Sequence, residues 1–225
     1  MRIAVITTGF AAHEKDYGGA AAILNLIKQL SNYNDIELVV FSFYYPAGKP
    51  DYNIGNVKIF SFALKPEAGK LEKIRIWKRC ETKFGDEFQK NRFDLIHSMW
   101  SGESGFIAAG LSRKFNVPMV TNVNGGELAG LPAIKFGYRL KFFQRYFVNK
   151  SFLQAKKIIC GSDFIISKIK QYYNSDIAAK AIKLPFGIDI ALFKPAPKKY
   201  DINSTMLINI ANAVPVKSHF TLFKA

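Results

Sequence analysis

The chain has 225 residues, 49% of them hydrophobic, which excludes an intrinsically disordered segment and allows a sizeable buried core; no apolar run approaches the ~20 residues of a membrane-spanning helix. Lys and Arg number 32 against 17 Asp and Glu, a formal +15, and this balance points to an anionic partner (nucleic acid, a phosphorylated substrate or an acidic membrane surface) without choosing among them. Cys80 and Cys160 lie far apart, with neither metal-ligand nor redox spacing, which argues against a disulfide framework and suits a reduced, cytosolic setting.

Ile3 to Ile6 is a short apolar run with β-branched residues and reads as a buried strand ending at Thr7-Thr8-Gly9. A polar loop leads to Gly18-Gly19. The helix that follows has Ile23, Leu26, Ile27 and Leu30 on one face. In a parallel α/β sheet such a unit sets the loop at the carboxyl end of the strand, where free N–H groups at the helix start suit a phosphate. The spacing is neither G-x-G-x-x-G nor a Walker motif, so a packing turn of small residues remains the alternative.

Ile36 to Phe43 is apolar almost throughout, as a strand buried on both faces should be. Tyr44 to Gly55 reads as a loop and Val57 to Phe62 as a third strand. Leu71 to Phe93 predicts a charged helix with Ile74, Trp77, Phe84 and Phe88 inward. Leu95 to Trp100 is a strand carrying His97 near its end. Gly102 to Phe115 is a helix whose Ala108, Ala109 and Gly110 allow close packing, and Met119 to Val123 is a strand running into Asn124-Gly125-Gly126-Glu127. Ala133 to Ala155 is the longest helical pattern, with Phe136, Leu140, Phe143, Phe147 and Leu153 as its apolar side and many basic residues between. Lys157 to Cys160 is a strand, Ser162 caps the next helix, and Ile182 to Leu184 is a strand halted by Pro185. Thr205 to Ile210 and Lys217 to Ala225 read as one further strand and the start of a helix.

The alternation predicts an α/β fold, a doubly wound parallel sheet. The expected domains are residues 1–184, a linker over 185–203, and an incomplete β-loop-α unit over 204–225. No paired carboxylates, Ser-His-Asp arrangement or Cys/His metal cluster stands out. The basic aromatic stretch 133–157 has three readings: a helix with a solvated face, a helix lying on an anionic membrane surface, or a nucleic-acid contact. The last ranks lowest, because no recognised nucleic-acid-binding signature accompanies the charge.

Leu184 to Pro195, LPFGIDIALFKP, resembles the interdomain segment P-N-G-V-D-x-x-x-F-x-P of GT-B glycosyltransferases of the glycosyltransferase 4 family. Pro185, Gly187, Asp189, Phe193 and Pro195 match, and Phe186 stands where Asn is usual. Gly18-Gly19 resembles the family's glycine-rich loop, Asp94 to His97 its D-V-V-H strand, Ala155 to Ser162 its A-D-x-V-I-A-x-S strand and cap, and Val214 to Lys217 its V-P-E-K-G loop. The order of these stretches favours the functional reading of the first loop. Two features depart from the pattern: Asn124-Gly125 replaces His-Gly, and Ala211-Asn212 replaces Gly-Arg. Asn can hydrogen-bond a sugar hydroxyl but cannot exchange a proton near neutral pH.

The resemblance implies a Rossmann-like acceptor-side domain of a retaining-type transferase that moves sugar from a nucleotide-diphosphate donor to a hydroxyl acceptor, a glycan or lipid-linked one, in cell-surface glycan synthesis. Asn124 and Glu127 would act on the sugar; Gly18, Gly19 and Lys217 would hold the donor diphosphate; His97, Gly125 and Ser162 would line the cleft. No cofactor or metal is implied. The family's E-x7-E motif does not occur, so the chain alone is expected to be inactive and to need a C-terminal domain. A cytoplasmic location is expected, peripheral on the inner face of the membrane, with no nucleic acid partner. The alternatives are a sugar-nucleotide epimerase of the same two-domain shape and a non-catalytic membrane- or polyanion-binding module.

Overall fold

A computed structural model describes residues 1–17, 21–65, 67–190, 193–194 and 208–224. Eight strands form one sheet: β1 (Arg2–Gly9), β2 (Glu37–Tyr45), β3 (Tyr52–Ile54), β4 (Val57–Ser61), β5 (Leu95–Ser98), β6 (Met119–Val123), β7 (Lys157–Cys160) and β8 (Ala181–Lys183), in the order β3-β4-β2-β1-β5-β6-β7-β8. Every pairing is parallel except β3 with β4. The helices are α1 (Ala21–Ser31), α2 (Lys70–Lys90), α3 (Glu103–Phe115), α4 (Phe142–Gln154), α5 (Asp163–Tyr172), α6 (Ser175–Ala178) and α7 (His219–Lys224). This is the doubly wound α/β sheet that the alternation predicts.

The period-two alternation of side chains divides the core. Ile3 and Val5 of β1, with Leu38 and Val40 of β2, pack beneath Ile23, Leu24 and Ile27 of α1. Ala4 and Ile6, with Val39 and Phe41, join the larger cluster that holds Phe84 of α2, Ala108 of α3 and Phe152 of α4. Helices therefore cover both faces, and β1 is buried along most of its length. Aromatic rings fill the larger layer: Phe84 lies 4.8 Å from Phe93 and 4.9 Å from Phe115, centroid to centroid.

Four local readings need correction. The segment expected as part of a loop before Gly55 contains β3, an antiparallel edge strand. The expected helix 133–155 is instead two 3-10 turns, Pro132–Ile134 and Tyr138–Leu140, followed by α4. Lys135 has φ +51° and Gly137 φ +108°, conformations no helix contains, and a Cβ on Gly137 would lie 2.1 Å from the Ala129 carbonyl oxygen. The buried side of α4 is accordingly Val148, Ser151 and Phe152, whereas Phe136, Leu140, Phe143 and Leu153 are exposed. In α2, Ile76, Cys80, Phe84 and Glu87 are the buried residues, and Ile74 is exposed. The close helix–helix approach occurs at Gly105, where a Cβ would lie 2.5 Å from the Ser151 hydroxyl, rather than at exposed Gly110. Residues 205–207 of the expected last strand lie outside the described residues, and Ile208 to Ile210 pair with no described strand.

At the amino edge of the sheet, buried Arg2 ties β1 to α2. Its guanidinium donates to Glu37 Oε1 at 2.6 Å, to Glu87 Oε2 at 2.9 Å and to the Glu87 carbonyl at 2.8 Å, and it covers the Phe93 ring. Burial opposes ionisation of Glu87, but hydrogen bonds from Lys90, Lys58 and Arg2 outweigh it and bring the carboxyl down to about 2. A carboxyl held below its ordinary value stabilises the fold fully above ~4.3 and loses that contribution as pH falls through about 2. Glu87→Ala should therefore cost about 3–5 kcal/mol near neutral pH, because Arg2 is left buried and short of a partner. Urea unfolding should show the gap between variant and wild type narrowing as pH falls below ~4; a gap that does not change with pH would contradict this account.

Candidate functional site at the carboxyl rim

Because β1, β2, β5, β6 and β7 run parallel, their carboxyl ends open on one rim. His97, Asn124, Gly125, Glu127 and Ser162 all lie at or just beyond those ends. Gly18 and Gly19, the expected phosphate loop, lie outside the described residues. The stretch leading to them is pinned in place: Phe10 N–H donates to Tyr45 O, Ala12 N–H to Asp16 Oδ2 at 2.7 Å, Tyr45 Oη to Asp16 Oδ2 at 2.8 Å and Tyr52 Oη to Ala11 O at 2.5 Å.

The loop after β6 is built around Glu127. Its side chain is buried, and its carboxylate accepts main-chain N–H from Asn124 at 3.3 Å and Ser101 at 3.4 Å. Among the described residues it forms no ion pair. Burial pushes its carboxyl above the usual range, and the surrounding main-chain N–H groups pull against that. Gly125 has φ +107°, a turn that leaves Asn124 exposed at the rim. Glu127 also borders a half-open cavity of about 510 Å³ lined by Arg139, Arg145, Tyr146 and Tyr173.

His97 sits on β5 opposite Val120, so Asn122 of β6 is its diagonal neighbour on the same face. The His97 Nε2 and Asn122 Oδ1 are 2.6 Å apart. Burial lowers the imidazole's affinity for a proton, partly offset by the Asn122 bond. Neutral His97 then donates Nε2–H to Asn122 and keeps Nδ1 as an acceptor. Ser162 caps α5, accepting Ile165 N–H at 3.4 Å. Lys217 is exposed in the 3-10 turn Pro215–Lys217, and no described hydrogen bond or ion pair joins it to the rim residues.

Sequence reasoning did not single out Asn122 or Glu103. Glu103 opens α3 and accepts from Trp77 Nε1 at 2.8 Å and from the Tyr44 hydroxyl, linking the ends of β2 and β5 to α2. Asn122 could have been found as an amide inside a buried strand whose other residues are Met, Val and Thr. Phe186, the departure from the interdomain pattern, packs on the α1-side cluster, so an apolar side chain anchors the start of the linker. Residues Gly187 to Ile190 then run beside Asn25, Leu26 and Gln29 of α1.

A model of Glycosyltransferase Family 4 matches residues 17–192. Among solved structures, sucrose-phosphate synthase of Thermosynechococcus elongatus superposes with a TM-score of 0.57 at 15% identity, covering 83% of this chain and 90% of that one. UDP-GlcNAc 2-epimerase of Neisseria meningitidis, bound to UDP-GlcNAc, gives 0.52 at 11% identity, covering 81% of this chain and 45% of that one. At these identities the likeness concerns fold alone, and the chain spans less than half the length of the epimerase. No curated protein matches the sequence.

A buried imidazole should titrate below the ordinary ~6.5. In NMR the His97 ring is expected to do so, and Asn122→Ala should lower its midpoint further by removing the bond that favours the charged form. The linked stability is fully present above the ordinary value and is lost as pH falls through the lowered one. A midpoint at or above ~6.5 would contradict the placement of His97.

Proposed function

The chain belongs to glycosyltransferase family 4, and on that premise we propose that it forms the acceptor-side wall of a cleft in which a sugar passes from a nucleotide-diphosphate donor to a hydroxyl acceptor, with retention of configuration. The observation that carries this reading is the Asn124–Glu127 turn, held open at the carboxyl rim of a sheet in a chain matched over residues 17–192. The acceptor would be a glycan or a lipid-linked sugar.

In this proposal exposed Asn124 hydrogen-bonds a sugar hydroxyl. Glu127 fixes the Asn124 main chain and lends its carboxylate to the adjoining cavity. His97 offers Nδ1 as an acceptor, and Gly125 lets the sugar approach the main chain. Gly18-Gly19 and Lys217 would hold the diphosphate, stabilising the charge that develops on the leaving group. That assignment rests on the sequence pattern alone. No metal is invoked; among the described residues no group of three His, Cys, Asp or Glu could hold one.

The epimerase reading has its own support in the fold shared with the Neisseria enzyme, so the test must separate the two. Assayed together with a donor-side domain of the family, the protein should release nucleoside diphosphate from sugar nucleotides only when an acceptor is added. Asn124→Ala should lower kcat/KM by about tenfold, the worth of one neutral hydrogen bond, with little change in melting temperature. Conversion of one sugar nucleotide into another without acceptor or diphosphate release would establish the epimerase instead. Neither reaction across a broad donor panel would favour a non-catalytic binding module.

A further inference from the structure

We propose that the surface built from residues 131–146 and the start of α2 docks on a bilayer carrying anionic lipid. The broken helix is what creates this surface. Leu131 and Phe136 pair across a tight turn through two main-chain hydrogen bonds, 2.8 and 3.1 Å, so the loop is already ordered. Leu140 packs beside Gly130 at its base. The chain then enters α4 with Phe142 and Phe143 69% and 63% exposed, their rings 5.6 Å apart. Lys70 of α2 lies over the Phe143 ring at 5.7 Å, which brings the neighbouring Leu71, 74% exposed, to the same edge.

Large apolar side chains left this exposed across two adjoining elements mark a contact surface rather than a solvated helix face. The charge around them selects the partner. Lys135, Lys141 and Arg145 interleave with the apolar residues, and no Asp or Glu occurs between Leu128 and Gln154; Glu67 and Glu72 are the acidic residues near the start of α2. Two copies meeting through this face would bring like charges together. Phe136, Phe142 and Phe143 offer rings for bases to stack on, but Leu131, Ile134, Leu140 and Leu71 beside them do not, and their aliphatic surface suits hydrocarbon. Aromatic and aliphatic tips among Lys and Arg are what a headgroup layer over hydrocarbon accepts, with the apolar part entering about 5–10 Å. Among the described residues no helix is long and apolar enough to cross a membrane, so this contact would be peripheral.

The experiment is sedimentation of the protein with vesicles of phosphatidylcholine alone, or with about an equal part of phosphatidylglycerol. Binding should be strong only to the anionic vesicles at about 0.1 M salt, where screening reaches ~10 Å, and should be lost at about 1 M, where it falls to ~3 Å. Phe142→Ser with Phe143→Ser, and separately Lys135→Glu with Lys141→Glu, should each weaken partitioning at least about tenfold. Lys15→Glu with Lys170→Glu makes the same charge change elsewhere and should retain more of the binding. Thermal melts check that each variant is folded, and Phe143→Trp gives a second readout, a blue shift of emission on anionic vesicles. Absent binding, equal binding to neutral vesicles, or surface variants no weaker than the control would overturn the proposal. So would dimerisation abolished by the same substitutions without vesicle binding, or tighter binding to polyuridylate than to anionic vesicles. Failure of vesicle binding leaves the sugar-transfer reading standing, and the reverse also holds.

Discussion

The carboxyl rim depends on one buried carboxylate that has no ion-pair partner among the described residues. Glu127 accepts N–H from Ser101, which follows β5, and from Asn124, which follows β6. Burial pushes its carboxyl above the usual range, and the main-chain N–H groups that surround it oppose that shift. The consequence is geometric: two loops from neighbouring strands share one acceptor and cannot move independently. Ser98 and Ser104 reinforce the first loop by donating to the Trp100 carbonyl at 2.6 and 3.0 Å. Tyr138 N–H closes the second by donating to Gly126 O. A rim fixed in this way can offer hydrogen-bonding groups to a ligand without reorganising at the moment of binding.

Most of the fold was legible because its signals are local and redundant. Apolar runs such as Ile36 to Phe43 can only be buried on both faces, and once several alternate with helical periods a parallel sheet is nearly forced. The errors fall where the deciding contact is distant in sequence or unusual in backbone geometry. Nothing in FGYRL announces that Gly137 must turn at φ +108° against Ala129, and a periodic count runs straight through it. The edge strand β3 is three residues long, too short for alternation to register, and exists because Tyr52 to Ile54 can pair with β4. In α2, Glu87 was indistinguishable from the helix's surface charges until Arg2 and Lys58 were brought to it by the sheet.

The site was legible at the level of which loops matter, less so in what each residue does. Asn124, Gly125 and Glu127 stood out by their place after a strand, and they do share one turn. That Glu127 faces inward to main-chain N–H groups depends on Ser101, 26 positions away in sequence. The bond between His97 and Asn122 likewise depends on register, because a one-residue slip of β6 would place the amide on the opposite face of the sheet. Lys217 was singled out by motif, and the described contacts do not bring it to the rim.

Taken together, the two edges of the sheet use charge in opposite ways. At the amino edge the carboxylates of Glu37 and Glu87 pair with Arg2, Lys58 and Lys90 and offset most of their charge. Around the carboxyl rim Glu103 and Glu127 accept hydrogen bonds from neutral donors and, among the described residues, form no ion pair with the basic residues outside them. Among the described residues Lys135, Lys141, Arg145 and Lys70 form no ion pair, so they make the surface beside the rim positive. The formal +15 is thus not an even coating: partners consume it at one edge and leave it exposed near the other. A phosphate-bearing ligand approaching the rim and an anionic surface approaching α4 would meet the same positive field, which steers association before any specific contact forms.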